Sequence, residues 1–303
     1  MRALLHLFRQ HLPRLWHCER VGLTVIWLLL ERVFNVTKMR ETSGICHQLC
    51  HSLAKEFQRE KFSLTQEPSE VFFKSQWQCQ PKSIIWLIYR WLFAATFTGG
   101  VVGSLIQSFD EGKWFIYLTN WGFLLCMYTS VFGAILVTIF YYSKDNVRVP
   151  PWALKLYWAS YITTLSVATT ITFLYWIFIF PSYFRTPLDV FNLWEHAFNS
   201  ILMILDHMLV AFPVRLLHFV YPVCMGLIYG MFTAIYYLAG GVDPYGNHFI
   251  YEIQDWSNPG STILTLIGSL IVVSVFCFMH FGLYKLRTFI YNKRQNSKFT
   301  LSV

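Results

Sequence analysis

Charged residues are scarce in this sequence. Asp, Glu, Lys and Arg make up 13% of its 303 residues, whereas 55% are hydrophobic and 19% are aromatic. Soluble domains usually carry about 25% charged residues. The apolar residues also form continuous runs of about 20, the length that a helix needs to cross the hydrocarbon core of a bilayer. Strands of a membrane β-barrel would show alternation instead, so the sequence predicts an all-α, multi-pass membrane protein.

Motifs for cofactors and nucleic acids are also absent from the sequence. It contains no Walker sequence and no glycine-rich dinucleotide-binding turn, so we predict no cofactor. The net charge of +8 does not indicate nucleic-acid binding, because 12 of the 24 basic residues lie within residues 1–82 and five lie from Lys285 onward. Basic residues in such positions are typical of cytoplasmic flanks that face anionic lipid.

The seven cysteines suggest neither a disulfide framework nor a metal site. Three of them lie within apolar runs, as small packing residues do. The sequence CHQLCH at residues 46–51 places two cysteines and two histidines on one and a half helical turns. Zinc needs four converging ligands, and one short helix seldom supplies more than two. We therefore predict no metal site.

Six apolar runs are long enough to span a membrane. Turn-forming residues separate them, and Trp and Tyr crowd their ends, as in interfacial belts. The runs are residues 84–107, 114–142, 152–180, 191–212, 217–240 and 262–286. They predict a bundle of six transmembrane helices over residues 84–286. An N-terminal region, residues 1–83, precedes the bundle, and a basic tail, residues 287–303, follows it.

The N-terminal region begins with a basic, amphipathic stretch and an apolar run of ten residues at 21–30. Ten residues are too few to span a bilayer. A secretory signal peptide has the same order of basic and apolar segments, but no small-residue cleavage site follows this run. We expect an interfacial helix or a poorly ordered extension here.

The distribution of Lys and Arg predicts the orientation of the bundle. With the N-terminus in the cytoplasm, the inner segments contain 21 of these residues and the outer loops contain two, Lys113 and Arg185. Positively charged residues favour the cytoplasmic side. Both termini are therefore predicted to be cytoplasmic. We expect an integral protein of the plasma membrane rather than of the endoplasmic reticulum.

The fourth run, residues 191–212, is unusually polar for a spanning helix. With 100° between successive residues, six side chains share an arc of roughly 120°: His196, Asn199, Ser200, Met203, Asp206 and His207. Ionisable groups at membrane depth are costly unless they find partners. We expect Asn199, Ser200 and His207 to form interhelical hydrogen bonds.

Counting residues along the runs predicts which side chains share a depth, since each helical residue advances by about 1.5 Å. Arg90 and Asp206 each lie six residues from the inner end of their runs, which predicts a buried ion pair.

Thr119 and His196 each lie five residues from the outer end of their runs. A histidine that accepts the proton of a threonine hydroxyl makes that oxygen a nucleophile. The two residues are therefore a candidate catalytic pair. Glu195 and Asn199, on the same run as His196, are candidates to orient the imidazole.

Several segments of the sequence resemble the rolling stone family of multi-pass membrane proteins. Together they cover roughly residues 45–290. They include SQWQ at 75–78, WFIYLTNWG at 114–122, WEHAFNS at 194–200, YPV at 221–223, IYYLAGG at 235–241 and Asp255-Trp256. The resemblance implies a role in cell–cell fusion of the myoblast type, or in membrane organisation, during development.

The sequence is more distantly similar to the androgen-induced and androgen-dependent membrane proteins, which hydrolyse fatty-acid esters of hydroxy fatty acids. Their nucleophilic threonine follows a leucine near the start of a spanning helix, as Thr119 follows Leu118 here. Their histidine stands in a His-Gly motif that opens a later helix and is matched by His196, although Ala197 follows it here. This similarity implies that Thr119 is the nucleophile and His196 the base.

Three functions stay open at this point. The first is a non-enzymatic protein of the rolling stone type, whose outer loops, especially residues 241–261, contact a membrane-protein partner. The second is an intramembrane hydrolase of lipid esters that uses Thr119 and His196. The third is a transporter for a small solute or a proton, which is disfavoured because the sequence shows no repeats or paired broken helices. In all three, the protein is surrounded by membrane lipids, and nucleic acid is not a partner.

Overall fold

The computed structural model describes residues 55–143, 149–180 and 190–301, with side chains up to residue 296. Residue contacts divide the chain into two units, Met1–Gln58 and Arg59–Val303. All helices named below belong to the second unit. The N-terminal interfacial segment and the cysteine–histidine cluster at residues 46–51 lie outside the described residues.

The described part of the chain consists of helices joined by loops, which confirms the all-α class for it. Helix α1 spans Ile84–Ser108, α2 spans Leu118–Tyr142, and α3 spans Pro151–Leu174 and continues as a π-helical turn, Tyr175–Ile179. Helix α5 spans Val220–Leu238 after a 3₁₀ turn, Leu216–Phe219, and α6 spans Pro259–Leu301. The one β-bridge within the described ranges joins Ser75 and Val210.

The fourth helical segment, α4, is composite. It consists of an α-helical turn, Val190–Leu193, a π-helical turn, Trp194–Phe198, and an α-helix, Asn199–His207. Five of the described helices, α1, α2, α3, α5 and α6, are long and apolar enough to cross a membrane. Helix α4 is not among them, because it ends five residues before the predicted run does and carries several ionisable side chains. Five of the six predicted spans therefore correspond to helices with the length and composition of a membrane span.

Helix α3 lies at the centre of the bundle. It packs against α2, α4, α5 and α6, and 14 of its 24 residues are buried. A helix buried on several faces must be free of unpaired polar groups. Its threonines meet this condition by bonding to their own helix, as Thr163 and Thr170 do with the carbonyls of Ala159 and Ser166.

Two glycines of α5 let α6 approach closely. A Cβ at Gly226 would lie 2.8 Å from Leu270 Cδ2, and a Cβ at Gly230 would lie 3.1 Å from Leu266 Cδ2. The spacing Gly-x-x-x-Gly is typical of close helix packing in membranes. This contact forms one wall of the cavity described below.

The segment before α1 pairs with the chain just after α4. The amide of Gln76 donates to Leu209 O at 2.8 Å, and Trp77 Nε1 donates to Met208 O at 2.7 Å. Carbonyl groups near a helix end have no intrahelical partner. The SQWQ segment thus satisfies the carbonyls that the end of α4 exposes.

Candidate functional site

Thr119 lies at the start of α2, where backbone amides have no partner within the helix. A 3₁₀ helix, Asp110–Ile116, precedes it, and the extended backbone of Tyr117 (φ −86°, ψ 132°) separates the two elements. Helix α2 therefore begins at Leu118, four residues later than the predicted run. Thr119 is its second residue instead of lying more than a turn inside it.

The structure brings Thr119 and His196 together. Thr119 Oγ1 lies 3.3 Å from His196 Nε2, and the two residues are 8% and 9% exposed. His196 Nδ1 lies 2.9 Å from Asn192 O. A carbonyl oxygen only accepts, so we assign the imidazole proton to Nδ1. In that tautomer Nε2 is the acceptor for the threonine hydroxyl, as a general base requires.

Two aromatic residues at the end of α3 hold the imidazole in place. The Tyr175 ring stacks on the His196 ring, with 3.5 Å between centroids and 20° between planes. The Tyr175 hydroxyl accepts from Asn192 Nδ2 at 2.7 Å, and Trp176 Nε1 donates to His196 O at 2.9 Å. Sequence reasoning missed Tyr175, because an aromatic residue near the end of an apolar run is equally typical of an interfacial anchor.

Glu195 and Asn199 are used elsewhere than at the imidazole. Glu195 accepts a hydrogen bond from Ser104 of α1, and Asn199 Nδ2 donates to the backbone carbonyl of Glu195 at 2.6 Å. The carbonyl of Asn192 takes the position at Nδ1 for which Glu195 and Asn199 were candidates. A backbone group one turn away leaves no signal in a side-chain pattern.

Asn199 and Ser200 connect α4 to α3. The hydroxyl of Thr172, on α3, lies 3.3 Å from Asn199 Oδ1 and 2.9 Å from Ser200 Oγ. Asn199 is fully buried and Ser200 is 5% exposed. Hydrogen bonds of this kind hold polar helices together in apolar surroundings. They fix the part of α4 that follows the π-helical turn.

An apolar cavity of about 100 Å³ lies beside Thr119. Helices α3, α5 and α6 and the loop after α5 form its walls, and Ile171, Leu270 and Val273 are among the aliphatic residues that line it. Hydroxyl and amide side chains from several of its walls also contribute to the lining, but most of the surface is apolar. Such a cavity suits a ligand with a hydrocarbon chain. Within the described ranges, no group of three His, Cys, Asp or Glu side chains could hold a metal ion.

The loop after α5 contributes Tyr251 to the same cavity. The Tyr251 hydroxyl accepts a hydrogen bond from Leu118 N, the first amide of α2, at 3.1 Å. Burial raises the pKa of Tyr251, so its hydroxyl keeps its proton near neutral pH. Sequence reasoning missed this residue, because nothing in a loop sequence shows where the loop folds back.

Asp206 and Arg90 form a buried ion pair near the other end of α4. Arg90 Nη1 lies 2.8 Å from Asp206 Oδ1, and the two side chains are 1% and 0% exposed. The hydroxyls of Tyr89 and Tyr161 donate to Asp206 Oδ1 and Oδ2, each at 2.9 Å. A buried pair is tolerable only when such additional hydrogen bonds satisfy it. Neither tyrosine is distinguishable in the sequence from other aromatic residues of its run.

His207 connects α4 to α6. His207 Nε2 lies 3.0 Å from His280 O, and the His207 carbonyl accepts from Arg287. Arg287 is fully buried and also donates to Phe212 O at 2.9 Å. Arg287 is the first residue of the predicted basic tail, but α6 continues through it and turns it towards α4.

Comparison with known proteins agrees with the resemblance seen in the sequence. A family model described as "Protein rolling stone" matches residues 44–300. The Drosophila melanogaster protein named "Protein rolling stone" is 37% identical over 250 residues, which cover 78% of this chain and 90% of that protein. No solved structure matches the chain. With most of its length matched by both, the chain belongs to the rolling stone family.

Proposed function

We propose that this member of the rolling stone family hydrolyses lipid esters within the membrane, with Thr119 as the nucleophile and His196 as the general base. The observation that supports it is the 3.3 Å contact between Thr119 Oγ1 and His196 Nε2 beside an apolar cavity. A nucleophile, a base within hydrogen-bonding distance and a third group that orients the base make up a hydrolytic triad. Asn192 O is that third group here.

The reaction follows from this hydrogen-bond pattern. His196 Nε2 takes the proton of Thr119 as Oγ1 bonds to the ester carbonyl carbon, which gives a tetrahedral intermediate. The bond to the leaving oxygen then breaks, and the imidazolium returns the proton to the departing alcohol. Water, deprotonated by the same nitrogen, then attacks the acyl-threonine. The bond between the acyl carbon and Oγ1 breaks, Oγ1 takes the proton back from the imidazolium, and the fatty acid is released. Asn192 O stabilises the imidazolium in both steps.

The cavity supports an ester with a long acyl chain as the substrate. None of the residues that line it is charged, and most of its surface is apolar, so it can exclude water from a hydrocarbon chain. The distant similarity to hydrolases of fatty-acid esters of hydroxy fatty acids supports the same substrate class here. Such a substrate would reach Thr119 from the surrounding lipid.

Labelling with a fluorophosphonate probe tests the proposed nucleophile. In detergent-purified protein, Thr119→Ala and His196→Ala should each abolish labelling and lower ester hydrolysis by at least about a thousandfold. Thr129→Ala is the matched control, because Thr129 is a buried threonine of the same helix that bonds to Thr164 at 2.8 Å. Labelling of Thr119→Ala at the wild-type rate would refute the proposal.

We further propose six spans, cytoplasmic termini and a plasma-membrane location. The helical residues 190–207 of α4 extend about 27 Å at 1.5 Å per residue, close to the hydrocarbon thickness of roughly 30 Å. The excess of basic residues in the segments assigned to the inside supports the orientation. The test uses a variant that lacks the native cysteines and is expressed at the surface of intact cells. In it, Tyr245→Cys should react with an impermeant maleimide, and Lys293→Cys should react only after the cells are permeabilised. Labelling of both in intact cells would contradict this orientation.

A role in cell–cell fusion or membrane organisation is the second candidate function, as the family resemblance implies. The loop after α5 supports it. Asp243 accepts from the amides of Tyr245 and Asn247 at 2.9 and 2.8 Å, and this turn leaves Tyr245 82% exposed. A fixed, exposed aromatic residue suits contact with a membrane-protein partner.

A cell-mixing assay separates the two functions. Tyr245→Ala should lower the fraction of fused cells several-fold while leaving fluorophosphonate labelling unchanged. Tyr245→Phe, which keeps the aromatic ring, is the control. Loss of fusion in Thr119→Ala together with normal fusion in Tyr245→Ala would show that fusion depends on ester hydrolysis. It would also show that the loop after α5 is not required.

A further inference from the structure

Tyr251 is a polar residue of the cavity wall that the mechanism above does not use. It lies between α5 and α6, and its ring contacts the ring of Tyr117 edge-on with 5.8 Å between centroids. Its hydroxyl oxygen is already an acceptor for Leu118 N. The side chain and the backbone of Thr119 also lie close enough to interact with this hydroxyl. Tyr251 therefore stands beside the nucleophile, at the first turn of α2.

The neighbouring Tyr229 has a different role. Its hydroxyl donates to Ile116 O at 2.8 Å, and its ring packs against Trp121 with 5.3 Å between centroids. The Tyr229 proton is thus committed to a backbone carbonyl. The hydroxyls of Tyr229 and Tyr251 also lie close enough to interact. Because the Tyr229 proton is committed and the Tyr251 oxygen accepts from the Leu118 amide, the Tyr251 proton can be directed to a group in the cavity, and the accepted hydrogen bond strengthens it as a donor.

The electrostatics at this point favour negative charge. The first turn of a helix is the positive end of the helix dipole. Leu118 and Thr119 are the first two residues of α2. Attack by Thr119 on an ester moves an electron pair onto the carbonyl oxygen, so the new charge appears within this positive region. A preorganised neutral donor at such a place stabilises the transition state more than the bound ester.

We propose that Tyr251 is the oxyanion donor of this site. The inference rests on the hydrolase function proposed above. As Thr119 Oγ1 bonds to the carbonyl carbon, the ester C=O becomes a single C–O⁻ bond, and the Tyr251 hydroxyl donates a hydrogen bond to that oxygen while keeping its proton. When the intermediate collapses, the electron pair returns to the C=O bond and the leaving oxygen takes its proton from His196.

Steady-state kinetics on the purified full-length protein test the assignment, with 4-nitrophenyl octanoate as substrate. Tyr251→Phe should lower kcat by about 10²–10³-fold, the usual effect of removing one oxyanion donor, and leave KM within about twofold. Tyr245→Phe is the matched control, because it makes the same change at an exposed position of the same loop and should leave both constants unchanged.

A trifluoromethyl ketone distinguishes an oxyanion donor from a structural residue. An octyl trifluoromethyl ketone forms a tetrahedral oxyanion adduct with a serine or threonine hydroxyl, so its affinity for Tyr251→Phe should fall by the same factor as kcat. Phe keeps the ring that packs on Tyr117. Ketone affinity is measured on the folded fraction, so reduced folding would not imitate this result.

The outcomes separate the two proposals. Wild-type kcat and ketone affinity in Tyr251→Phe, with an inactive Thr119→Ala, would overturn the role of Tyr251 and leave the hydrolase in place. A rise in KM alone would also overturn it. An active Thr119→Ala would overturn both.

Discussion

At the scale of single residues, the buried contact between Arg90 and Asp206 joins α1 to α4. Arg90 Nη2 also donates to Tyr157 OH at 3.0 Å. A Cβ at Gly133 of α2 would lie 2.0 Å from that nitrogen, so only glycine leaves room for the guanidinium. The ion pair and its hydrogen bonds to tyrosines together offset the desolvation free energy of burying both charges. Removal of one partner leaves the other charged and unpaired in an apolar interior.

The ion pair predicts non-additive stability changes. Arg90→Ala and Asp206→Ala should each destabilise the protein by about 3–5 kcal/mol, because each leaves an uncompensated buried charge. The double substitution should be no worse than either single one. Thermal unfolding in one detergent measures all three variants. Losses that add in the double variant would show that the two residues act independently.

Residue counting predicts such pairs because both members lie in helices that cross the same layer at a known rise. It places Thr119 and His196 at one depth for the same reason. It does not predict the groups that orient the imidazole of His196. Asn192 acts through its backbone carbonyl and Tyr175 through ring stacking, and neither contact depends on the apolar or polar character that a sequence pattern records.

At the scale of elements, the π-helical turn of α4 decides where His196 faces. The amide of Asn199 donates to Trp194 O, five residues earlier, whereas an α-helix would use the carbonyl four residues earlier. Such a turn inserts one extra residue and is frequent at functional sites. It offsets the part of α4 before the turn by about 100° relative to an uninterrupted helix. Polar periodicity assumes a regular helix and cannot reveal this rotation.

Deletion of Ala197 tests the importance of that turn. Without the extra residue, α4 should become regular, and His196 should rotate away from Thr119 by about 100° because the ion pair holds the inner half in place. Fluorophosphonate labelling should then be lost, while the melting temperature should fall less than in Asp206→Ala. Ala197→Ser keeps the chain length and should retain labelling. Undiminished labelling of the deletion variant would show that the turn does not position the histidine.

The start of α2 shows the same limit of sequence patterns. Residues 114–117 are as apolar as the helix that follows, so the predicted run includes them. The positive φ angles of Glu111 and Gly112, 52° and 88°, instead turn the chain into a short 3₁₀ helix. This start places Thr119 at the positive end of the helix dipole, beside the proposed oxyanion.

At the scale of the whole molecule, low charge and long apolar runs are sufficient to predict a helical membrane bundle. They are not sufficient to predict its cavity. The cavity exists where side chains of α3, α5 and α6 fail to fill the space beside Thr119, and α4 separates α3 from the other two helices in the sequence. Gaps of this kind depend on the sizes of facing residues, such as Gly226 against Leu270. A sequence pattern predicts which face of a helix is buried, but not which residues of other helices that face contacts.

The shape of this cavity predicts a dependence on acyl-chain length. Along α6, its lining extends from Thr265 to Val273, a separation of eight residues or about 12 Å. Val273→Phe should obstruct the far part of the cavity and lower kcat/KM for 4-nitrophenyl palmitate, relative to the butyrate ester, by about tenfold or more. Ile271→Phe, at a residue of the same helix that is 59% exposed, should leave the ratio unchanged. An equal loss for both esters in Val273→Phe would mean that the acyl chain lies elsewhere, because only an occupant that reaches Val273 can sense its size.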